Sequence, residues 1–372
     1  MKFNYMKEKI LLVSCEGLGK GGVQSVIMSI VRNMSYKYVF DIILFTDEKR
    51  FYDDEFESYG GKIFRIPNYN GENKIRKKID YYIRRNRIYR ETKNIIKSNG
   101  PYRAIHCNNV YESGICLKAA YKYKIKTRIV HIHIVPQPGN FIRNFIDKNY
   151  FKFIKQFGEH FIGCSEDSCK SFYGKKVKYN VINNPYNEDI FKFSPNISNN
   201  ELIITQIGSF SSNKNQVFSI KVLSHIVKKY PNAKLYFVGF DIDGYQNEME
   251  AEITKSGLKN NIKIYPSDTN ISLLLKKTSA LIFPSLVEGF GIVLIEAQAM
   301  GVRCYVSDSV TKQTNVGGCE FISLKIGAEN WAEKIINDYK ITLGKHYRYD
   351  CSEFSTKETM KNYELIYRGG SL

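Results

Sequence analysis

Residues 280–301 read ALIFPSLVEGFGIVLIEAQAMG. A buried strand (Leu281, Ile282, Phe283) stops at Pro284 and Ser285, an acidic glycine turn of Glu288, Gly289, Phe290 and Gly291 follows, and an apolar helical run then carries Glu296 in its second turn. In an open α/β sheet, ligands sit outside the carboxyl ends of the strands, where such a turn delivers a helix N-terminus with unpaired N–H groups and a positive dipole. This makes an anion site with two carboxylates beside it. Carboxylates next to a phosphate need hydrogen-bond donors of their own, and sugar or ribose hydroxyls supply them, so the pattern points to a nucleotide-sugar. An ordinary strand, turn and helix with solvated glutamates is the alternative.

With 372 residues the chain exceeds what one hydrophobic core holds, so two domains of about 150–190 residues are expected. The hydrophobic content of 43% is that of a soluble globular protein. No run reaches the ~18 apolar residues of a membrane-spanning helix, and the opening MKFNYMKEKILLVSCEG does not read as a signal peptide, so a cytoplasmic chain is expected. The eight cysteines are scattered with no C-x-x-C pair, which fits buried free thiols better than disulfides or zinc.

The net charge of +18 is unevenly spread: residues 1–185 hold 34 Lys+Arg against 17 Asp+Glu, and residues 186–372 hold 21 against 20. A basic surface confined to one domain implies an acidic partner: anionic membrane, lipid diphosphate or nucleic acid. Aromatic platforms and a recognisable motif for nucleic acid are lacking, which sets that partner aside. The predicted helix 73–98 concentrates the charge in Lys74, Arg76, Lys77, Lys78, Arg84, Arg85, Arg87 and Arg90, opposite a stripe of Ile75, Ile79, Tyr82 and Ile83. It reads either as a solvated charged face or as an interfacial helix for anionic lipid, with Arg84, Arg85 and Arg87 facing the membrane.

Strand-like runs at 9–15, 38–46, 62–66, 102–107, 128–134 and 160–165 alternate with helical patterns at 22–34, 73–98, 112–122 and 142–156, the signature of a parallel sheet covered on both faces. Residues 183–200, NNPYNEDIFKFSPNISNN, read as a linker. The alternation then restarts, with strands at 202–209, 233–240, 261–266, 280–285, 303–308 and 320–324 and helices near 214–230, 245–257, 270–278, 291–300 and 328–341. A last helical pattern covers about 354–367.

After the first strand, Gly17, Gly19 and Gly22 satisfy G-x-G-x-x-G, but Asp47 and Glu48 lie farther along than the ~20 residues expected of a ribose-binding acid. A P-loop is excluded because Gly19 and Lys20 are followed by Gly21. In the second half a strand ends at Gly208, and the polar turn Ser209, Phe210, Ser211, Ser212 and Asn213 leads to Lys214 at the start of a helix, an arrangement suited to phosphate. His131 and His133 lie two apart on a strand and share a face; with His106 they could be metal ligands or hydrogen-bonded core histidines, although no carboxylate or thiol completes a ligand spacing.

The spacing of Glu288 and Glu296 in EGFGIVLIEAQAMG resembles the Glu-x7-Glu signature of the retaining glycosyltransferases of family 4. The resemblance covers nearly the whole chain and implies the GT-B fold, an α/β architecture of two Rossmann-like doubly wound domains facing across a cleft. It implies an acceptor-binding domain at 1–184, a nucleotide-sugar-binding domain at 185–354, and a helix within 355–372 that crosses back to the first domain. The activity implied is transfer of a sugar, hexosyl or N-acetylhexosaminyl, from a nucleotide-diphosphate donor such as a UDP-sugar to a lipid-linked saccharide acceptor. Anomeric configuration would be retained and no metal or other cofactor used. EAQAMGVRCYVSD, TKQTN and Trp331 in ENWAEKI look most like the exopolysaccharide and capsule branch, which implies a peripheral protein at the inner face of the cell membrane.

Residue by residue, the family pattern gives Glu288 and His133 catalytic roles and puts Glu296, Lys214, Gly208, Ser209, Gly289, Phe290, Gly291 and Ile292 on the donor. It matches Gly21 and Gly22 to a glycine pair that lets the backbone approach the acceptor or the donor diphosphate, a tight turn being the other reading. GCSEDSC (163–169) resembles the family's strand-to-helix turn, with Ser165 and Glu166 serving as a helix cap rather than in catalysis. Ser209 departs from the pattern, which has arginine there. Two other activities fit: a nucleotide-sugar 2-epimerase on the same fold, and a catalytically silent partner subunit, which the missing arginine keeps open.

Overall fold

The computed structural model describes residues 7–14, 17–67, 74–108, 112–135, 150–193, 201–242, 244–342 and 347–372, with the side chains of 74–82, 176 and 342 outside the description. The chain divides into two compact units, one of Met1–Pro185 with Thr356–Leu372, the other of Tyr186–Ser355.

Unit 1 runs β1 (Glu8–Ser14), α1 (Gly22–Met34), β2 (Tyr38–Leu44), α2 (Asp53–Ser58), β3 (Ile63–Arg65), α3 (Lys74–Asn99), β4 (Tyr102–Cys107), α4 (Ser113–Lys122), β5 (Thr127–Ile132), α5 (150–157), β6 (His160–Gly163), α6 (Glu166–Tyr173) and β7 (Asn180–Val181). Its seven strands form a parallel sheet of order β3-β2-β1-β4-β5-β6-β7. Side chains of β1 alternate between two cores: Leu11 and Val13 pack with α3 and α4 residues such as Ile88 and Ile115, while Ile10 and Leu12 pack with Val26, Ile27 and Ile30 of α1. The sheet is therefore buried on both faces, as the near-continuous apolar strands require. The second face is completed by α12 (Thr356–Tyr367), which lays Met360, Tyr363, Ile366 and Tyr367 beside α1.

Unit 2 runs β8 (Ile203–Ile207), α7 (Gln216–Ile226), β9 (Lys234–Gly239), α8 (Tyr245–Lys255), β10 (Ile262–Pro266), α9 (Ile271–Leu275), β11 (Ala280–Phe283), α10 (Ile292–Ala299), β12 (Arg303–Ser307), β13 (Cys319–Ile322) and α11 (Gly327–Thr342). Its sheet, of order β10-β9-β8-β11-β12-β13, is also all parallel. Strand order reverses between β1 and β4 in unit 1 and between β8 and β11 in unit 2, and loops leaving neighbouring strands at such a reversal turn to opposite faces and open a crevice.

The predicted strands appear in place. The sequence reading passes over α2 and the two-residue β7, and most of the predicted helix 142–156 lies outside the described residues, which are helical again from 150. Ser165 caps α6, its side chain accepting from Ser168 N. Seven cysteines are described and all are free. Among the described residues no helix is long and apolar enough to cross a membrane.

Ile366, only 1% exposed, makes the docking of α12 testable. Ile366→Ala should destabilise unit 1 by about 2–5 kcal/mol in urea titration, as for other large-to-small core changes. A cost typical of a surface site, below about 0.5 kcal/mol, would show that α12 does not pack there.

Candidate active site

In unit 2 the two loops at the reversal are tied together by asparagine. Asn213 donates from Nδ2 to Val287 O (2.8 Å), accepts at Oδ1 from Val287 N (3.1 Å), and its own carbonyl accepts from Leu286 N (2.8 Å). Asn215, held at φ 56° in the left-handed region, donates to Pro284 O at 3.3 Å. Asparagine tolerates that conformation better than most residues, so one residue serves both the turn and the tie. Gln216 donates to Ser209 O (2.9 Å), and Gln206 donates to Lys214 O (2.7 Å). The turn from Gly208 to Lys214 is thus fixed at both ends before α7 begins, and Lys214 precedes the helix rather than opening it. Beneath the turn, a Cβ on Gly239 would lie 2.0 Å from Gly208 O, so β9 has to end in glycine for the two backbones to approach.

Across the gap bridged by Asn213, the Lys214 ammonium forms an ion pair with Glu288 and lies 5.1 Å from the centre of the Phe283 ring. Both side chains are about four-fifths buried, with relative exposures of 18% and 19%. Gly291, at φ +81°, ends the acidic turn in a conformation that favours glycine, and α10 starts with no side-chain cap. Glu296 sits one turn inside α10. Burial raises its carboxyl from the ordinary 4.5 to about 7, and among the described residues no hydrogen bond or ion pair reaches that carboxyl. A half-buried acid without a protein partner destabilises its charged form, and hydroxyl donors would reverse this. Phe290 buries its ring against Phe354 (5.8 Å between centroids), so the part of it that a donor could meet is its backbone N–H.

In unit 1, neither Gly21 (φ −94°) nor Gly22 adopts a positive φ, so the turn itself does not require glycine. A Cβ on Gly22 would meet nothing within 4 Å, and one on Gly21 would meet only the flexible Gln24 side chain. His133, just past β5, is 9% exposed; its Nε2 lies 3.0 Å from Asn108 Oδ1, and burial lowers its pKa to about 4. Its ring lies against His131 with centroids 3.8 Å apart, and His131 Nδ1 is 3.2 Å from His106 Nε2. The three rings hydrogen-bond and stack in a row, and among the described residues no group of three or more His, Cys, Asp or Glu is placed to hold a metal ion.

The three arginines expected to face a membrane, Arg84, Arg85 and Arg87, are each partly exposed. Arg84 is ion-paired with the buried Glu112 beneath α3, and the Arg85 guanidinium lies 5.9 Å from the Phe153 ring, so both lean toward the protein; Arg87 is intermediate in exposure. The solvent face of α3 carries Ile83, Asn86, Arg90, Lys93, Asn94 and Lys97. Charge count alone cannot show the Arg84 pair, because Glu112 lies 28 residues on, just ahead of α4.

Residues 187–316 match the family Glycosyl transferases group 1. The match lies within unit 2. The putative glycosyltransferase EpsF of Bacillus subtilis is 27% identical over 350 residues, spanning 88% of this chain and 87% of its own. The capsular polysaccharide biosynthesis glycosyltransferase CapH of Staphylococcus aureus is 23% identical over 367 residues, spanning 95% and 97%. Among solved structures, Anabaena Alr3699/HepE in complex with UDP and glucose superposes with a TM-score of 0.72 at 17% identity, covering 97% of this chain and 95% of that one. The chain has the two-domain α/β fold of the GT-B glycosyltransferases.

The raised carboxyl of Glu296 has a consequence for stability. Between pH 4.5 and about 7 the folded protein keeps a proton that the unfolded chain has released, so this group's contribution to stability falls as pH rises through that window and is level above it. Melting curves from pH 4 to 8 should therefore show wild type losing Tm relative to Glu296→Gln as pH rises. Parallel curves would mean that folding leaves the carboxyl's pKa at its ordinary value.

Proposed function

We propose that the protein is a retaining glycosyltransferase that moves a hexosyl or N-acetylhexosaminyl group from a UDP-sugar to a lipid-linked saccharide in cell-surface polysaccharide synthesis. The observation that carries this reading is that the two strands flanking the reversal in unit 2 lead, one into a turn whose lysine is held by Glu288, the other into α10 with its partnerless carboxyl. Each has a natural counterpart in a nucleotide-sugar. The ribose hydroxyls donate to Glu296, which restores its charge. The diphosphate draws the Lys214 ammonium away from Glu288 and takes the N–H groups at the start of α10, leaving Glu288 to the transferred sugar. Fixed charge and dipoles then stabilise the departing diphosphate as the sugar becomes oxocarbenium-like.

Ser209 removes one positive charge that the family pattern would place on the diphosphate, so more of that task falls on Lys214 and the helix N–H groups. By resemblance, His133 serves the transferred sugar, with its imidazole kept neutral by burial. Gly22 leaves its backbone open to a ligand, Gly21 is covered by the Gln24 side chain, and no metal or other cofactor is assigned a role. CapH, named for capsular polysaccharide biosynthesis, supports the polysaccharide setting, and the UDP and glucose complex of HepE supports the donor class.

The two glutamates should separate kinetically. Glu296→Gln should raise the Michaelis constant for donor and weaken free nucleotide by roughly 10-fold, because the ribose does not change during reaction. Glu288→Gln should lower the turnover number by about 100-fold and leave nucleotide affinity within a few-fold. Loss of nucleotide binding in Glu288→Gln, or lost turnover with unchanged affinities in Glu296→Gln, would exchange the roles. If no sugar from a panel of nucleotide-sugars is transferred or bound, the glycosyltransferase reading fails.

Peripheral attachment to the inner face of the membrane belongs to the same reading and rests on the basic solvent face of α3. With each near-surface cation contributing about 1 kcal/mol, replacing Arg90, Lys93 and Lys97 by Ala should weaken binding to anionic vesicles by roughly 10- to 100-fold in sedimentation assays at low salt. Unchanged binding would exclude this face.

A further inference from the structure

The loops that leave β1 and β2 of unit 1 are tied to each other before either reaches its helix. Tyr52 N donates to Leu18 O at 2.8 Å. Gly17 lets Arg50 come close, since a Cβ there would lie 2.6 Å from Arg50 Cγ. Arg65, at the end of β3, donates to Glu48 O at 2.7 Å and forms an ion pair with the buried Asp53. This frame holds one large apolar side chain outward: Phe51 keeps 61% of its surface in solvent and so forgoes the burial that a phenylalanine ordinarily contributes.

Two charged groups accompany the ring. The Lys20 ammonium, from the glycine turn after β1, lies 4.1 Å from its centre, and Tyr52 packs across it at 74° with centroids 4.8 Å apart. Asp47 stands exposed on the same loop as Phe51. Their neighbours are matched, Lys49 with Asp54 and Arg50 with Glu48, whereas among the described residues neither Lys20 nor Asp47 forms an ion pair. An aromatic surface with an ammonium and a carboxylate beside it is complementary to a pyranose, which has an apolar C–H face and a rim of hydroxyls that both donate and accept.

Charge narrows the ligand further. Residues 47–57 hold Asp47, Glu48, Asp53, Asp54, Glu55 and Glu57 against Lys49 and Arg50. Arg65 and Arg32 compensate Asp53 and Glu55, and the remainder is still acidic. An anionic bilayer or a diphosphate is repelled by such a loop, while a neutral sugar is not. The place also suits a ligand, because the turn that carries Lys20 leaves β1 at the reversal between β1 and β4, where the crevice of unit 1 opens.

We infer that Phe51, flanked by Lys20 and Asp47, is a stacking platform for a neutral sugar ring of the acceptor. The role in transfer rests on the glycosyltransferase reading, which supplies the acceptor; the capacity to bind a sugar does not.

Fluorescence of the full-length Phe51→Trp variant tests this. The variant puts an exposed indole on the platform, and the single natural tryptophan, Trp331, is fully buried in the core of unit 2 and gives a constant background. The probes are octyl glucoside, octyl galactoside and octyl N-acetylglucosaminide, kept below micelle formation. At least one should change the emission saturably, and octyl phosphocholine, with the same chain but no sugar, should not. Octyl glucuronide should bind about 10-fold more weakly, because its carboxylate meets the acidic loop. Phe51→Ala removes an exposed side chain and should leave Tm unchanged. It should raise the KM of the responding glycoside as acceptor by about 10-fold with the donor KM within about twofold, and Phe51→Trp should keep the wild-type values. Silence with all three neutral glycosides, an equal response to octyl phosphocholine, or an unchanged acceptor KM in Phe51→Ala overturns the inference. An equal response to the glucuronide overturns the selection for a neutral ring. If no nucleotide-sugar is bound or transferred, the glycosyltransferase reading falls, and the emission titration still decides whether the platform takes a sugar.

Discussion

Two parallel strands that share a sheet edge but send their chains in opposite directions are the constraint on which the candidate site depends. A parallel pair needs a crossover, so the loops leaving β8 and β11 must diverge and leave space between them. Without support that space would close or vary. Asn213 prevents both by pairing with the backbone of Val287 and Leu286 as a third strand would, and the glycine at 239 lets the floor rise against Gly208. Rigidity is gained from side chain to backbone bonds, and the charged groups stay available for ligand.

Those charged groups form a balanced set. Lys214 is compensated by Glu288, so its charge carries no large cost before a donor arrives, and Glu296 meets its own desolvation by holding a proton to about pH 7. A nucleotide-sugar brings two negative phosphates and several hydroxyls, which are the complements of a lysine, an uncapped helix and two carboxylates. On the proposed reading, the empty site is balanced by the ion pair and by the proton on Glu296, and the filled site releases that proton as the ribose hydroxyls reach the carboxylate.

Much of this was legible in the sequence, and the division follows sequence separation. Strands and helices depend on local periodicity, so runs such as KILLVSC and RCYVSD came out within a residue or two of β1 and β12. The acidic turn was legible for the same reason, since Glu288, Gly291 and Glu296 lie within one strand-turn-helix. What escaped depends on partners far along the chain. The Lys214 and Glu288 pair joins residues 74 apart, as does the Asn213 tie. Arg84 read as a surface cation because Glu112, 28 residues on, only meets it once α3 packs on α4. The burial of the Phe290 ring was out of reach for the same reason, since its core partner Phe354 belongs to the chain's last sixth.

Tyr367 shows the same dependence on distance from the other side. The face of the unit 1 sheet covered by α1 is apolar in its lower part but polar near the strand ends, where His106, Asn108, His131 and His133 follow one another. A purely apolar helix laid there would leave imidazole nitrogens buried without partners. Tyrosine suits this boundary because its ring extends the apolar contact with Tyr38 and Phe40 while its hydroxyl reaches the histidine row. The pattern Met360, Tyr363, Ile366 and Tyr367 thus records two demands on a single helix face, one for burial and one for hydrogen bonding. Only the first has a periodicity that can be read without knowing what lies opposite.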